Sequence, residues 1–477
     1  MHQRAPAGEQ ASARSAFLGS NSIRTTAADL NTTGMMLLRD GDAEGARLHF
    51  LGALEIDPDF VPALANLGKS LAEAGMLPAA LAATGRALRL APDEAGTRNN
   101  LANMLMRANL HEAALAQCRR LVEDAPEDPV TWHNLALLRY RMGAYPDALA
   151  AIDRALALMP GSHGMASDRS HMLLAMGRLG EGLAAYEERW HNLTHLSPWD
   201  YHWPEWHGED VAGKTLLFHS EQGFGDAIML ARLAPELAER GARVTMALPP
   251  GLVRLMAMQE WPSVKVADLE TFDRGTEPPQ FDFHSPMFGA LRWLGYARPE
   301  DIRLRAYVEA PTGFPLFVPP EGKRNIGICW ASGKWNLDSA LRRTIPLSLF
   351  LPLASIPGVR LWSLQKGDDE GDIDRIGADG LIGDLTHRFA DWADTAAFIA
   401  QLDLVIAVDT AVAHLAGAMG KPVWMLSPFT RCWRWWGAAD GTMEPWYKGR
   451  LFAQHAPGDW SGAMRDVLAA VEAEIAG

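Results

Sequence analysis

The chain has 477 residues, 48% hydrophobic and 21% charged, with 43 glycines and 30 prolines spread along its length, which is the composition of a globular protein of about two or three folding units. A formal net charge of -14 argues against nucleic acid as the main partner, because polyanion binding draws on clustered Lys and Arg. The three cysteines, Cys118, Cys329 and Cys432, are far apart and build neither a disulfide framework nor a CxxC metal site; with no apolar run of signal or membrane-spanning length, the reading is a cytoplasmic protein whose residues 1–24 are disordered.

Prolines at 58, 92, 126 and 160 recur every 34 residues, which is the period of the tetratricopeptide repeat (TPR). Gly34, Gly68, Ala102 and Ala136 keep the same phase, as do Ala46, Ala80, Ala114 and Ala148; both series mark where paired helices cross closely. Gly41, Gly75, Asn109 and Gly143 mark the turns, which need a residue tolerant of positive φ. A fifth, degenerate unit carries Gly177, Gly182, Tyr186 and Trp190. The pattern predicts an α superhelix of about five repeats over residues 25–193, with a concave face suited to a protein segment. Asn66, Asn100 and Asn134 recur at the same spacing. Two roles fit them: a ladder of amides gripping an extended acceptor peptide, or ordinary interhelical hydrogen bonding. Residues 194–214, rich in Trp and Pro, predict a linker.

From Thr215 the pattern becomes α/β. Short apolar strands are predicted at Thr215–Ser220, Val244–Leu248, Val264–Val266 and Phe281–His284. A second series runs through Asn325–Trp330, Val359–Leu364, Leu381–Ile382, Leu404–Val408 and Val423–Leu426. Helices at Ala227–Arg240 and Ser461–Ile475 punctuate them. These series predict two lobes, 215–318 and 319–477, each a parallel sheet of Rossmann type, facing a cleft.

Residues 221–226 read Glu-Gln-Gly-Phe-Gly-Asp at a strand-to-helix turn, where Gly223 and Gly225 allow close backbone approach to an anion. The segment lacks the third glycine of a dinucleotide fingerprint and the Lys-Ser/Thr of a P-loop. Asp226 fits either of two roles, helix N-cap or general base. Asp409 and Thr410 open another helix at a strand end, where free N–H groups can hold a diphosphate; His414 follows one turn in. Lys334, Arg342 and Arg343 form the best basic cluster for a phosphate leaving group and fit a solvated surface patch equally well. Gln365, at a third strand end, is placed to read a base or ribose. The aromatic run Trp433, Trp435, Trp436, Trp446 and Tyr447 fits sugar stacking and packing equally.

The motifs EQGFGD, RRTIPL, SLQKG and VDTAVAHLAGAMGKPVW together resemble bacterial TPR-containing glycosyltransferases whose catalytic half is similar to heptosyltransferases. The architecture also resembles protein O-GlcNAc transferases and the TPR-bearing enzymes linked to flagellin glycosylation. The resemblance implies a GT-B fold, a nucleotide-sugar donor as co-substrate, no cofactor and no metal. It implies Asp226 as catalytic base and Asp409 and Thr410 at the donor phosphates. The chain departs from the family at Ala411, where glycine is usual, in the loop 331–334, which lacks an Asn-Pro, and at Cys432, where an Asp precedes Trp-Arg-Trp. The expected activity is transfer of a sugar to a hydroxyl, on a protein such as flagellin bound by the repeats. A glycan or lipid-linked acceptor, and a non-catalytic scaffold, are the alternatives.

Overall fold

The structure, a computed structural model, describes residues 25–192, 201, 203–273, 280–312, 320–333, 342–437, 443–444 and 446–476. Chain contacts divide the protein into two compact units, one up to Pro126 and one from Glu127 onward.

The first unit is built of three antiparallel helix pairs: Ala27–Arg39 with Ala43–Ile56, Val61–Glu73 with Leu77–Leu90, and Ala95–Arg107 with His111–Asp124. Gly41, Gly75 and Asn109 take positive φ between partners, as their phase in the repeat requires. Close approach at the crossing explains the small residues, since a Cβ on Gly34 would lie 2.6 Å from the Phe50 ring and one on Gly68 2.0 Å from Thr84 Oγ1. Ala46, Ala80 and Ala114 are fully buried. Asn66 donates its amide to Asn31 Oδ1 at 2.9 Å, so this amide serves interhelical bonding; Asn66 and Asn100 are both half-buried.

The second unit begins with two further pairs, Pro129–Arg141 with Tyr145–Leu158 and His163–Ala175 with Leu179–Tyr186, and a short turn of helix at Arg189–Asn192. Gly143 and Gly177 again take positive φ, and Asn134 is half-buried in the first of these helices. Residues 193–200 and 202, most of the first half of the expected linker, lie outside the described residues. The rest of that stretch is part of the fold: the Trp206 N–H donates to the His284 carbonyl at 2.8 Å, and the His284 N–H to the Pro204 carbonyl at 3.0 Å.

Two parallel sheets follow. The first has the order β3-β2-β1-β4, with β1 Thr215–His219, β2 Arg243–Leu248, β3 Val264–Asp268 and β4 Phe283–Pro286. The second has the order β12-β9-β8-β5-β6-β7, with β5 Arg324–Cys329, β6 Val359–Ser363, β7 Ile382–Gly383, β8 Leu404–Val408, β9 Val423–Ser427 and β12 Arg450–Ala453. A small antiparallel pair, β10 Trp436–Gly437 and β11 Met443–Glu444, stands apart. Counted from its own first strand, the second sheet runs 3-2-1-4-5-6, and the first runs 3-2-1-4. In such sheets the order reverses at a switch point, and ligands sit beyond the carboxyl ends of the strands there. The switch points are β1/β4 and β5/β8.

The predicted helix Ala227–Arg240 is two helices, Phe224–Ala231 and Leu233–Glu239. Pro235 explains the break, because it has no N–H to return to the carbonyl of Ala231. A single core of buried side chains contains Leu179, Leu183 and Tyr186 of the last repeat, Phe218 and Ile228 of the first sheet region, and Val405 and Val412 of the second. The last helix pair is thus packed into the α/β core.

Candidate active site

The turn after β1 leads into the helix Phe224–Ala231, whose N-cap is Gly223, with φ -68° and ψ 170° and no side-chain cap bond. Asp226 is therefore inside the first helical turn, and the capping role considered for it is not the one observed. Its Oδ1 accepts from Arg434 Nε at 2.5 Å. Arg434 also donates to Gln222 Oε1 at 3.3 Å, and Gln222 donates to the Tyr186 hydroxyl at 2.8 Å. Asp226 Oδ2 makes no hydrogen bond among the described residues. Burial pushes the Asp226 carboxyl above the usual carboxylate range, with Asp409 adding to the rise and Arg434 opposing it; a raised carboxyl is a better proton acceptor.

Two residues before the glycine, Glu221 forms a fully buried ion pair with Arg189, which reaches its Oε2 through Nη2 at 2.7 Å and Nε at 3.2 Å. Glu221 Oε1 accepts from the Phe288 N–H at 3.0 Å. The turn that presents Asp226 is thus held from the repeat side by Arg189 and Tyr186.

In the second sheet β8 leads into Asp409 and Thr410, and Thr410 is the N-cap of the helix Ala411–Ala418 without a side-chain cap bond. Asp409 Oδ2 receives Arg343 Nη1 at 3.1 Å and Oδ1 receives Trp435 Nε1 at 2.6 Å. Burial raises the Asp409 carboxyl, but the Arg343 guanidinium, helped by the Trp435 N–H and by Arg434, prevails and leaves the group below its usual value. A carboxylate so held fixes Arg343 and Trp435 in place. His414 is buried, bonds Tyr447 Oη through Nδ1 at 3.1 Å, and stacks on Trp435 with ring centroids 4.5 Å apart. Burial pulls its pKa down to about 3, so it is a neutral packing residue.

Gly225 lies where the two helices meet: a Cβ there would come 2.8 Å from His414 Cδ2 and 3.5 Å from Ala411 Cα. Its glycine serves helix packing, in place of the expected anion approach. Gly223 differs, since nothing lies within 4 Å of a Cβ built on it. Gln365, expected on a base or ribose, instead accepts at Oε1 from the N–H groups of Trp330 and Ala331 at 3.2 and 2.9 Å and donates to the Lys366 carbonyl at 3.2 Å. It braces the exit of β5. Next to it, Ser332 Oγ is buried at the switch point with no partner among the described residues. Lys334 lies outside the described residues.

The structure therefore brings Asp226, Gly225, His414, Asp409 and Arg343 together and sets Asn66 and Asn100 in a different unit. Sequence reasoning missed Arg434, Arg189 and Tyr186. The Arg between two tryptophans at 433–435 was the available signal. Trp433, Trp435, Trp446 and Tyr447 are all buried, which assigns them to packing. A cavity of about 450 Å³ adjoins this cluster, lined among others by Tyr145, Phe429, Arg431, Cys432, Trp433 and Trp435.

Residues 66–129 match the tetratricopeptide repeat family model. The chain is 29% identical over 330 residues to protein FlbA of Caulobacter vibrioides, covering 64% of this chain and 54% of FlbA; it spans about half the length of that curated relative. Among solved structures it is similar to MamA from Desulfovibrio magneticus, with 20% identity over 34% of this chain and 90% of that one and a TM-score of 0.31. It is also similar to a thermophilic TPR protein of Thermus thermophilus, with 22% identity, 35% and 92% coverage and a TM-score of 0.32. The family match at residues 66–129 and the repeated helix pairs make the N-terminal region a TPR-like helical array, a surface type that binds protein segments, and an α/β region with parallel sheets follows it. Among the described residues no helix is long and apolar enough to cross a membrane.

Proposed function

We propose that this chain is a glycosyltransferase of GT-B architecture that moves a sugar from a nucleotide-activated donor to a hydroxyl of a polypeptide held by its repeats. The observation that carries the reading is Asp226: a half-buried carboxylate in the first turn of the helix after β1, held at one oxygen by Arg434 and open at the other, facing the Asp409–Thr410 turn of the second sheet. In the reaction the acceptor O–H gives its proton to Asp226 Oδ2 while its oxygen bonds to the anomeric carbon. The bond from that carbon to the diphosphate breaks, and its electron pair leaves with the nucleoside diphosphate. The helix N-terminus at Thr410, reinforced by Arg343, offsets the charge that develops there. Burial of Ser332 Oγ at the β5/β8 switch point supports a ligand at that place.

The test is calorimetric titration of the purified chain with UDP-, ADP-, GDP- and CMP-sugars in EDTA, followed by transfer assays on polypeptide acceptors with flagellin tried first. Saturable binding of one donor, with Asp226→Asn binding it equally well and losing about 10²-fold or more in transfer, is the expected result. A wild-type chain that binds none of the four, or an Asp226→Asn variant of full activity, overturns it.

A further inference from the structure

We propose that His163, Glu188 and His191 form a binding site for one divalent transition-metal ion of the zinc class, separate from the Asp226 site and independent of the transferase reading. Glu188 lies in the turn just before the short helix Arg189–Asn192, which carries His191, and the His191 N–H donates to the Glu188 carbonyl at 3.1 Å, so the i, i+3 spacing brings the two side chains together. His163 is the first residue of its helix, after the Ser162 N-cap, and faces them. Its Nδ1 is 2.6 Å from Glu188 Oε2, and its ring centroid is 4.5 Å from that of His191. One ligand atom from each residue lies within 4.8 Å of the others. Two imidazoles and a carboxylate suit zinc, nickel or copper and are poor ligands for calcium or magnesium. Ligand atoms on a tetrahedral zinc stand roughly 3.3 Å apart, so the ion takes the place of the shared proton with the His163–Glu188 pair opening by less than about 1 Å. Both imidazoles are exposed, which gives the ion an entry path, a water in the fourth position, and side chains free to turn onto it. The same turn carries Arg189 into the core against Glu221, so the ion clips the end of the repeat region at the point from which it holds the 221–226 turn.

The test titrates ZnCl2 alone into the full chain, chelator-treated and free of any affinity tag, by calorimetry. The expected result is saturable uptake of one ion per chain and a higher melting temperature with zinc. His163→Ala and His191→Ala each weaken uptake more than tenfold and remove the shift in melting temperature. His455→Ala, at another exposed imidazole–carboxylate pair with Asp466, leaves both unchanged. Because both ligand imidazoles are exposed, the metal-free variants melt with the wild type; Glu188→Gln supplies an independent variant. No uptake by the wild-type chain, or undiminished uptake by the His163→Ala/His191→Ala double variant, overturns the proposal.

Discussion

Arg189 and Glu221 stand 32 residues apart in the chain, and both side chains are buried almost completely in one ion pair, with contacts of 2.7 and 3.2 Å to Glu221 Oε2. Breaking such a pair by removing one partner costs about 3 to 5 kcal/mol, because the other charge stays buried without compensation. Arg189→Met is therefore expected to lower the melting temperature clearly. The double variant Arg189→Met/Glu221→Leu is expected to recover part of the loss, since it leaves neither of the two fully buried charges, although the partly exposed Glu187 loses its contact with Arg189 and the Phe288 N–H loses its acceptor. Thermal unfolding of the three proteins checks this, and equal losses in single and double variants would show that packing, not charge, is at stake. The pair also dictates how the chain can be cut: a truncated chain starting after residue 190 loses Tyr186 and Arg189, and its first sheet is expected to be unstable.

On the proposed reaction, with Asp226 as its base, the pH dependence of transfer follows from that carboxyl. A base works in its deprotonated form, so kcat/KM rises with pH through its pKa, and burial places that acid limb above the ordinary range for an aspartate. Arg434 opposes the rise. Arg434→Gln is accordingly expected to move the limb to higher pH and lower the rate at pH 6 more than at pH 8. A pH–rate profile of the variant superimposable on that of the wild type would remove Arg434 from this role.

Asp409 works in the opposite sense for stability. Its pKa is lowered in the folded chain, so its contribution is present above the unfolded value near 4 and is lost as pH falls through the folded value. Asp409→Asn keeps an oxygen for Trp435 Nε1 but gives up the ion pair with Arg343. The variant is expected to be less stable at pH 7 and to lose less on acidification to pH 3 than the wild type, as read from urea unfolding at both pH values.

Gly223 and Gly225 are two residues apart and predict different outcomes. Gly225→Ala forces a Cβ to within 2.8 Å of His414 Cδ2, and overpacking of this kind costs about 1 to 3 kcal/mol. Gly223→Ala meets nothing within 4 Å and has a φ of -68°, so its melting temperature is expected to match the wild type. Weakened donor binding in that variant alone would mark Gly223 as the glycine that a ligand approaches. Calorimetry beside thermal unfolding separates the two effects.

The repeats were legible because one period fixes helix, turn and crossing together: Gly41, Gly75, Asn109, Gly143 and Gly177 all take the positive φ that their phase demands. Most strands were legible as short apolar runs. β12 was not, because Arg450–Ala453 offers three non-charged residues after an arginine and draws its stability from pairing with β9. The site was legible only in part. Local motifs located Asp226 and Asp409, but Arg434 meets Asp226 across 208 residues of sequence, and nothing local records such a pairing. Local reading also gave Gly225 and Gln365 to a ligand, whereas close helix crossing and the backbone N–H groups of Trp330 and Ala331 account for them.

Gln365 provides the sharpest contrast between those two readings. Gln365→Leu fills a similar volume but leaves the buried N–H groups of Trp330 and Ala331 without their shared acceptor, and an unsatisfied buried donor costs about 1 to 3 kcal/mol. If the amide braces the β5 exit, the variant melts well below the wild type, and its affinity falls about equally for donors with different bases, because the loop beyond Ala331 loses its support for all of them. If the amide reads a base, the variant keeps its melting temperature and loses discrimination between nucleotides. Melting curves together with Kd values for two donors decide the matter, and the hydrogen bonds of the Gln365 amide to Trp330, Ala331 and Lys366 lead us to expect the first outcome.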